Sequence, residues 1–260
     1  SQRTAAELPD RKLHWNIRDS ITLLGITILF SVVSLSTLGS HKAPQTFWTS
    51  SGENEQIVFD LQEDRDDVTV LYFGQVSYYD FTVSQSSDGE IWGGEIPAQM
   101  DQGQCWKWKY ITQYYTDSKG QRNYYSDAAH IVHFSGRFIR LTSDQVGLTL
   151  NEILFRDKEG NRIPAVIVSR SGDNSDSVLW SDPETLLDEQ DTIEKLPGFF
   201  GREQEGPAQP SWWNSTYFDE IYHARTGFEF LNGTVPYETS HPPLGKVLIS
   251  WCISLFGMTP

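Results

Sequence analysis

The runs QIVFDL (residues 56–61) and VTVLYF (residues 68–73) decide the fold class, because apolar and polar side chains alternate along them. Such alternation, with β-branched and aromatic residues, predicts half-buried β-strands. Turn residues follow in SDG (87–89) and DKEGN (157–161). Many short strands with no helical pattern between them predict a β-sandwich. The alternating pattern recurs in YDFTVS (79–84), FIRL (138–141) and LTLNEILF (148–155).

Charge and cysteine content exclude several classes of protein. The 260 residues carry 20 Lys+Arg against 35 Asp+Glu, a net charge of −15, so no basic surface is offered to nucleic acid. Two cysteines exclude a disulfide framework and a Cys-rich zinc site. No acidic cluster has the loop spacing from which calcium ligands could be named, so no metal-binding residue is assigned from the sequence.

Residues 20–40 contain no ionisable side chain and are long enough for a transmembrane helix. Because four basic residues precede this run and the chain beyond it is acidic, the positive-inside rule predicts a cytoplasmic segment over residues 1–19 and an extracytoplasmic chain from residue 41 onward. A signal peptide and a buried globular helix are the alternatives. The basic residues that precede the apolar run are Arg3, Arg11, Lys12 and Arg18.

A second apolar run, over residues 247–258, is too short to span a bilayer alone. We interpret residues 247–260 as the start of a second transmembrane helix and the chain as a fragment of a longer, multi-pass protein of the cell membrane.

Three segments, YDFTVSQSSDGEIW (79–92), RFIRL (137–141) and LNEI (150–153), resemble the discoidin, or coagulation-factor C-type, jelly-roll domain. The resemblance implies an eight-stranded jelly roll over residues 41–165. It also implies a glycan or lipid head group as ligand, because members of that family bind these through loops at one end.

The aromatic residues of this region fall into two groups. Family members carry tryptophan where Trp48 and Trp92 stand, so both are expected in the core. The alternation of Trp106, Trp108 and Tyr110 also favours core positions on one face of a strand. The better candidates for a contact surface flank an expected hairpin over residues 117–122: Tyr114, Tyr115, Tyr124 and Tyr125.

Residues 166–210 are rich in acidic residues and in Ser, Gly and Pro, which predicts a solvated linker. Within it, a short helix is expected over residues 183–195.

Residues 211–246 predict a helix over Tyr217–Leu231, with Thr216 as its N-cap and Asn232-Gly233 as its stop signal. On these grounds alone, Asp219 and Glu220 would only complement the dipole of a first helical turn.

The same segment resembles the first extracytoplasmic loop of the protein O-mannosyltransferases. The resemblance rests on FDE (218–220), PYE (236–238) and HPPLGK (241–246). These enzymes are multi-spanning, GT-C-type glycosyltransferases that use polyprenyl-phosphate sugars. The departure is the size of the loop, since a β-domain and an acidic linker precede the motif.

The resemblance implies an inverting transfer of a sugar, expected to be mannose, from a polyprenyl-phosphate donor to Ser or Thr hydroxyls of an acceptor protein. Asp219 matches the catalytic base, and Glu220 would orient the acceptor or hold Asp219. His241, Glu238 and Lys246 are the expected substrate-binding residues, with Lys246 near the leaving phosphate. His241 could equally fix the loop.

Two other functions are open. The chain could be a membrane-anchored, carbohydrate-binding discoidin-like module without activity, or an adhesion protein. We predict no turnover by these residues alone, because one and a half membrane helices cannot enclose a lipid-linked donor.

Overall fold

The computed structural model describes residues 15–36, 43–77, 79–100, 105–171, 183–188, 216 and 219–258. The chain forms two compact units, Ser1–Leu38 and Gly39–Pro260.

The first unit contains helix α1 (Ile17–Ser36), which covers most of the predicted transmembrane run. Asn16 caps it, since its side-chain Oδ1 accepts hydrogen bonds from the main-chain N–H groups of Arg18 and Asp19 at 2.8 and 3.2 Å. Among the described residues α1 is the one helix long and apolar enough to cross a membrane, a property that a span and an N-terminal signal sequence share. Arg3, Arg11 and Lys12 lie outside the described residues.

The second unit is mostly antiparallel β-sheet and confirms an apolar helix followed by a β-domain. Its strands are β1 (Trp48–Thr49), β2 (Glu55–Gly74), β3 (Phe81–Ser86), β4 (Ile96–Ala98), β5 (Lys107–Tyr110), β6 (Tyr114–Thr116), β7 (Arg122–Tyr124), β8 (Phe134–Ser143), β9 (Thr149–Leu150), β10 (Glu152–Arg156), β11 (Arg162–Ile163) and β12 (Val166–Ser171).

Strand β2 joins two sheet halves. Its first part pairs with β8 and β12, and β8 continues to β3 and β4. Its second part pairs with β10 and β5, and β10 continues to β11. Residues 56–61 and 68–73 therefore belong to one strand, and the prediction of two separate strands was wrong. The polar stretch between them contains two register shifts on either side of Arg65, and Gln62 within it has a φ of 69°.

The two halves pack face to face like a sandwich. Phe59 in the first half contacts Phe155 in the second, with ring centroids 5.2 Å apart. The alternate residues that point inward form one hydrophobic core around Trp48, which is fully buried as predicted. Trp92 was wrongly placed in that core: it is half-buried and lies under the guanidinium of Arg140, 4.3 Å from the ring centroid.

The β-domain extends into the predicted linker. Residues 166–171 form β12 on the edge of β2, and Leu186 in a 3-10 turn over Pro183–Leu187 is buried in the core. The linker boundary at residue 166 was therefore wrong, because two apolar segments of the acidic region have a sheet to pack on. A helix was expected over residues 183–195. Its part beyond residue 188 lies outside the described residues.

Two helices follow, α2 (Glu220–Leu231) and α3 (Pro243–Phe256), and they pack against each other. The second apolar helix thus begins at Pro243, four residues before the predicted boundary at 247, because Pro243 occupies its first turn, where a missing N–H costs nothing. Lys246 belongs to this helix.

Candidate functional site

The acidic pair stands at the beginning of α2. The helix begins at Glu220, and Asp219 occupies the N-cap position without a side-chain capping bond. Both side chains are exposed. The prediction of Thr216 as the N-cap was wrong, because its hydroxyl donates to the main-chain carbonyl of Cys105 at 3.2 Å. Tyr217 and Phe218 lie outside the described residues.

The end of α2 confirms the predicted stop signal. Asn232 is the C-cap, and its side-chain amide donates to the carbonyl of Phe228 at 2.8 Å. Gly233 follows at φ 66°, a conformation that glycine adopts without strain.

Lys246 in α3 pairs with Glu238 in the loop that joins the two helices. The Lys246 ammonium donates to the main-chain carbonyl of Glu238 at 2.8 Å and also to its carboxylate. Lys246 is only 2% exposed. The ammonium, together with hydrogen bonds from Ser240 and His241, holds the pKa of the Glu238 carboxyl well below its usual range. Lys246 therefore stabilises the loop, and a contact with a leaving phosphate would require this pair to open.

His241 connects the loop to α2. Its main-chain N–H donates to a Glu238 carboxylate oxygen at 3.2 Å. Its ring meets the ring of His223 edge-on, with centroids 5.0 Å apart. The main-chain N–H of His223 in turn donates to the carbonyl of Asp219 at 3.4 Å, which places His223 one turn after Asp219. His223, one helical turn after Asp219, thus links the beginning of α2 to the HPPLGK segment.

A buried ion pair within α2 contacts the same loop and was not identified as part of the site from the sequence. Arg225 and Glu229 are 2% and 6% exposed, and the Arg225 Nε donates to Glu229 at 2.8 Å. Glu229 also accepts from the main-chain N–H of Tyr237 at 2.6 Å, and the Arg225 guanidinium lies 4.0 Å from the Tyr237 ring centroid. The i, i+4 spacing of opposite charges was the available signal.

The β-domain contacts α2 directly. A second hydrophobic cluster covers the outer face of the β5–β2–β10 half, and Ile221 of α2 is buried in it. The rings of Trp106 and Phe228 meet edge-on, 5.1 Å between centroids. Trp106 and Trp108 are buried, as expected, but they lie in this second cluster and not in the interior of the sandwich.

The tail of α3 is also held by the β-domain. The Gln45 side chain accepts a hydrogen bond from the main-chain N–H of Met258 at 2.9 Å and donates to its carbonyl at 3.1 Å. Among the described residues no group of three or more His, Cys, Asp or Glu side chains could hold a metal ion.

The predicted tyrosine hairpin is confirmed as a separate two-stranded sheet, β6 with β7. Tyr114 and Tyr115 are 43% and 48% exposed. The rings of Tyr115 and Tyr125 meet at 5.1 Å, and Tyr125 stacks on His130 at 3.7 Å with nearly parallel planes. Tyr114 and Tyr115 are thus partly exposed and lie outside both hydrophobic clusters.

Comparisons with known proteins identify no family. No protein-family profile matches the chain. No curated protein matches it. Among solved structures it is similar to one described as CpGH89CBM32-6 produced by Clostridium perfringens, at 17% identity and a TM-score of 0.27, over 47% of this chain and 82% of that chain. A similarity of this size does not identify a shared activity.

Proposed function

We propose that the chain is part of a membrane glycosyltransferase that moves a sugar, mannose in the first instance, from a polyprenyl-phosphate carrier to Ser or Thr hydroxyls of an acceptor protein. The contact between His223 and His241 carries the proposal. It joins α2, one turn after the exposed carboxylates, to the HPPLGK segment. The carboxylates and this segment are the two motifs that resemble the O-mannosyltransferase loop.

The proposed step is an inverting displacement. The acceptor hydroxyl oxygen forms a bond to the sugar C1 while the bond from C1 to the phosphate oxygen breaks, so polyprenyl phosphate leaves. The hydroxyl proton passes to the Asp219 carboxylate, because a neutral hydroxyl is a weak nucleophile without a positioned base. Glu220, which follows Asp219 in the first turn, orients the acceptor.

The proposed location is a membrane with α1 as a span. Residues 1–19 are then cytoplasmic and residues 41–246 extracytoplasmic. The exposed apolar side chains of α3 support its role as the start of a second span, since they would lie in lipid or against further helices. They are Leu244, Leu248, Trp251, Leu255 and Phe256.

The test is transfer of labelled mannose from polyprenyl-phosphate mannose to an acceptor peptide, in membranes that carry the full-length protein. Asp219→Asn keeps the shape of the side chain and removes the base, so we expect transfer to fall by about 10²–10⁴-fold. Asp64→Asn, a change at an exposed carboxylate of the β-domain, is the matched control. Equal transfer by wild type and Asp219→Asn would rule out Asp219 as the base.

A second candidate function is carbohydrate binding by the β-domain, and the exposed rings of Tyr114 and Tyr115 favour it. Flat aromatic faces match the apolar face of a pyranose ring. Tyr115→Ala should weaken binding to an immobilised neutral mannan, while Ile91→Ala, at another exposed apolar position, should not. Unchanged retention of the Tyr115 variant would exclude the hairpin as the binding surface.

A further inference from the structure

The β-domain holds α2 on both sides of the carboxylate pair. Before the pair, the Thr216 hydroxyl bonds to the carbonyl of Cys105. After it, Ile221 is 4% exposed within the cluster that contains Cys105 and Trp106. Asp219 and Glu220 therefore lie between two points of attachment to the β-domain, although their own side chains are exposed.

Trp106 is the largest element of this attachment. It is 3% exposed, and its ring packs edge-on against Phe228, two turns along α2 from the carboxylates. Edge-to-face aromatic pairs contribute to stability beyond the area that they bury. The attachment thus continues along the helix and fixes its direction as well as its beginning.

The backbone of Trp106 is in an unfavourable conformation. Its φ of 51° lies in the left-handed region, where bulky residues are rare, and its N–H donates to the Gly74 carbonyl at 2.6 Å. Such a conformation persists only where the surroundings determine it. The strained residue is the one that contacts the helix of the candidate site.

We propose that Trp106 is a positioning residue: through Phe228, the β-domain sets the place of the Asp219–Glu220 pair and so forms part of the transferase site. The role rests on the proposed transferase function. A misplacement of about 1 Å of a reacting group can cost about 100-fold in rate, so a domain that fixes the start of α2 contributes directly to turnover.

The kinetic test compares three variants in the full-length protein. Trp106→Ala should lower kcat by about 10- to 100-fold with little change in KM for polyprenyl-phosphate mannose, because donor binding needs no correctly placed base. Trp106→Phe keeps an aromatic ring against Phe228 and should restore most of kcat. Trp92→Ala removes a half-buried tryptophan of the same domain that does not belong to the Phe228 cluster, and it should leave kcat unchanged.

A second measurement follows the attachment without activity. Cys105 is buried in the cluster, whereas Cys252 on α3 is exposed. In a Cys252→Ser background, the rate of maleimide labelling of Cys105 reports opening of the cluster. Phe228→Ala, made on the helix side, and Trp106→Ala should each raise this rate about tenfold or more, and Trp92→Ala should not.

The outcomes separate the two proposals. Faster labelling together with a kcat defect that Trp106→Phe rescues supports the positioning role. Full kcat in a variant whose Cys105 labels rapidly would overturn it, and so would unchanged labelling in both cluster variants. No transfer by wild type would overturn the proposed function and this role with it, and the labelling rates would still decide whether the β-domain holds α2.

Discussion

Lys246 in α3 is bonded to Glu238 twice, through the main-chain carbonyl at 2.8 Å and through the carboxylate. Both residues were expected to bind substrate. In the structure the pair closes the turn between α2 and α3 and, together with the bond from His241 to Glu238, holds the HPPLGK segment against the loop before it.

The pair predicts acid sensitivity of the helix–loop–helix segment. The pKa of Glu238 is lowered chiefly by Lys246. A lowered folded-state pKa stabilises the fold above the unfolded value of about 4.3, and the contribution is lost as the pH falls through the folded-state pKa. Glu238→Gln should therefore be less stable than wild type at about pH 7, and the difference should shrink toward about pH 3.

Thermal unfolding of both proteins across that range measures the difference. Glu90→Gln, at an exposed position, is the control and should show no such trend. A gap between wild type and Glu238→Gln that stays constant with pH would contradict the assignment of the ion pair.

Helices α2 and α3 approach each other closely at Gly227. A Cβ placed there would lie 2.8 Å from Cγ2 of Ile249 and 3.3 Å from the carbonyl oxygen of Lys246. Gly227→Ala gains about 1 kcal/mol of helix propensity and should still destabilise, since overpacking costs about 1–3 kcal/mol. At Gly245 no atom lies within 4 Å of an added Cβ, so Gly245→Ala should gain helix propensity without overpacking and stabilise the fold. Denaturant unfolding of the two variants should thus show opposite signs, and equal stabilities would contradict the close approach.

Much of the fold follows from local sequence. Period-two alternation located β3, β8 and β10, the tyrosine pairs located the β6–β7 hairpin, and Asn232-Gly233 located the end of α2. These signals are carried by neighbouring residues, whose spacing alone determines which face each side chain occupies.

The site was only partly predictable. Its carboxylates and the HPPLGK segment are visible as motifs, but the contact of Trp106 with Phe228 joins distant parts of the chain, and periodicity carries no information about such a contact. The start of α2 was predicted wrongly for the same reason. Thr216 is a good capping residue, but its hydroxyl donates a hydrogen bond to the Cys105 carbonyl, and no local pattern reveals this contact.

The buried pair of Arg225 and Glu229 predicts strong energetic coupling. Removing one partner leaves a charge without compensation inside the fold, so Arg225→Met should cost about 3–5 kcal/mol. The double variant Arg225→Met/Glu229→Gln should recover part of that loss, because glutamine carries no charge and can still accept from the Tyr237 N–H. A double-mutant cycle by urea unfolding measures the coupling. Additive losses would show that the two charges do not interact.

Glu55 predicts a pH dependence opposite to that of Glu238. Its side chain is fully buried, and burial raises the pKa of its carboxyl despite hydrogen bonds from the main-chain N–H groups of Ser51 and Gly52 at 2.8 and 3.2 Å. A raised folded-state pKa means that the charged form is disfavoured in the fold, so the penalty is absent below the unfolded value of about 4.3 and develops as the pH rises through the folded-state pKa. Glu55→Gln should therefore gain stability relative to wild type between about pH 4 and about pH 7, whereas Glu53→Gln, two residues away and exposed, should not. Melting temperatures of wild type, Glu55→Gln and Glu53→Gln across this pH range test the prediction. If Glu55→Gln instead lost stability relative to wild type as the pH rises, the Glu55 carboxylate would be better solvated than its burial indicates.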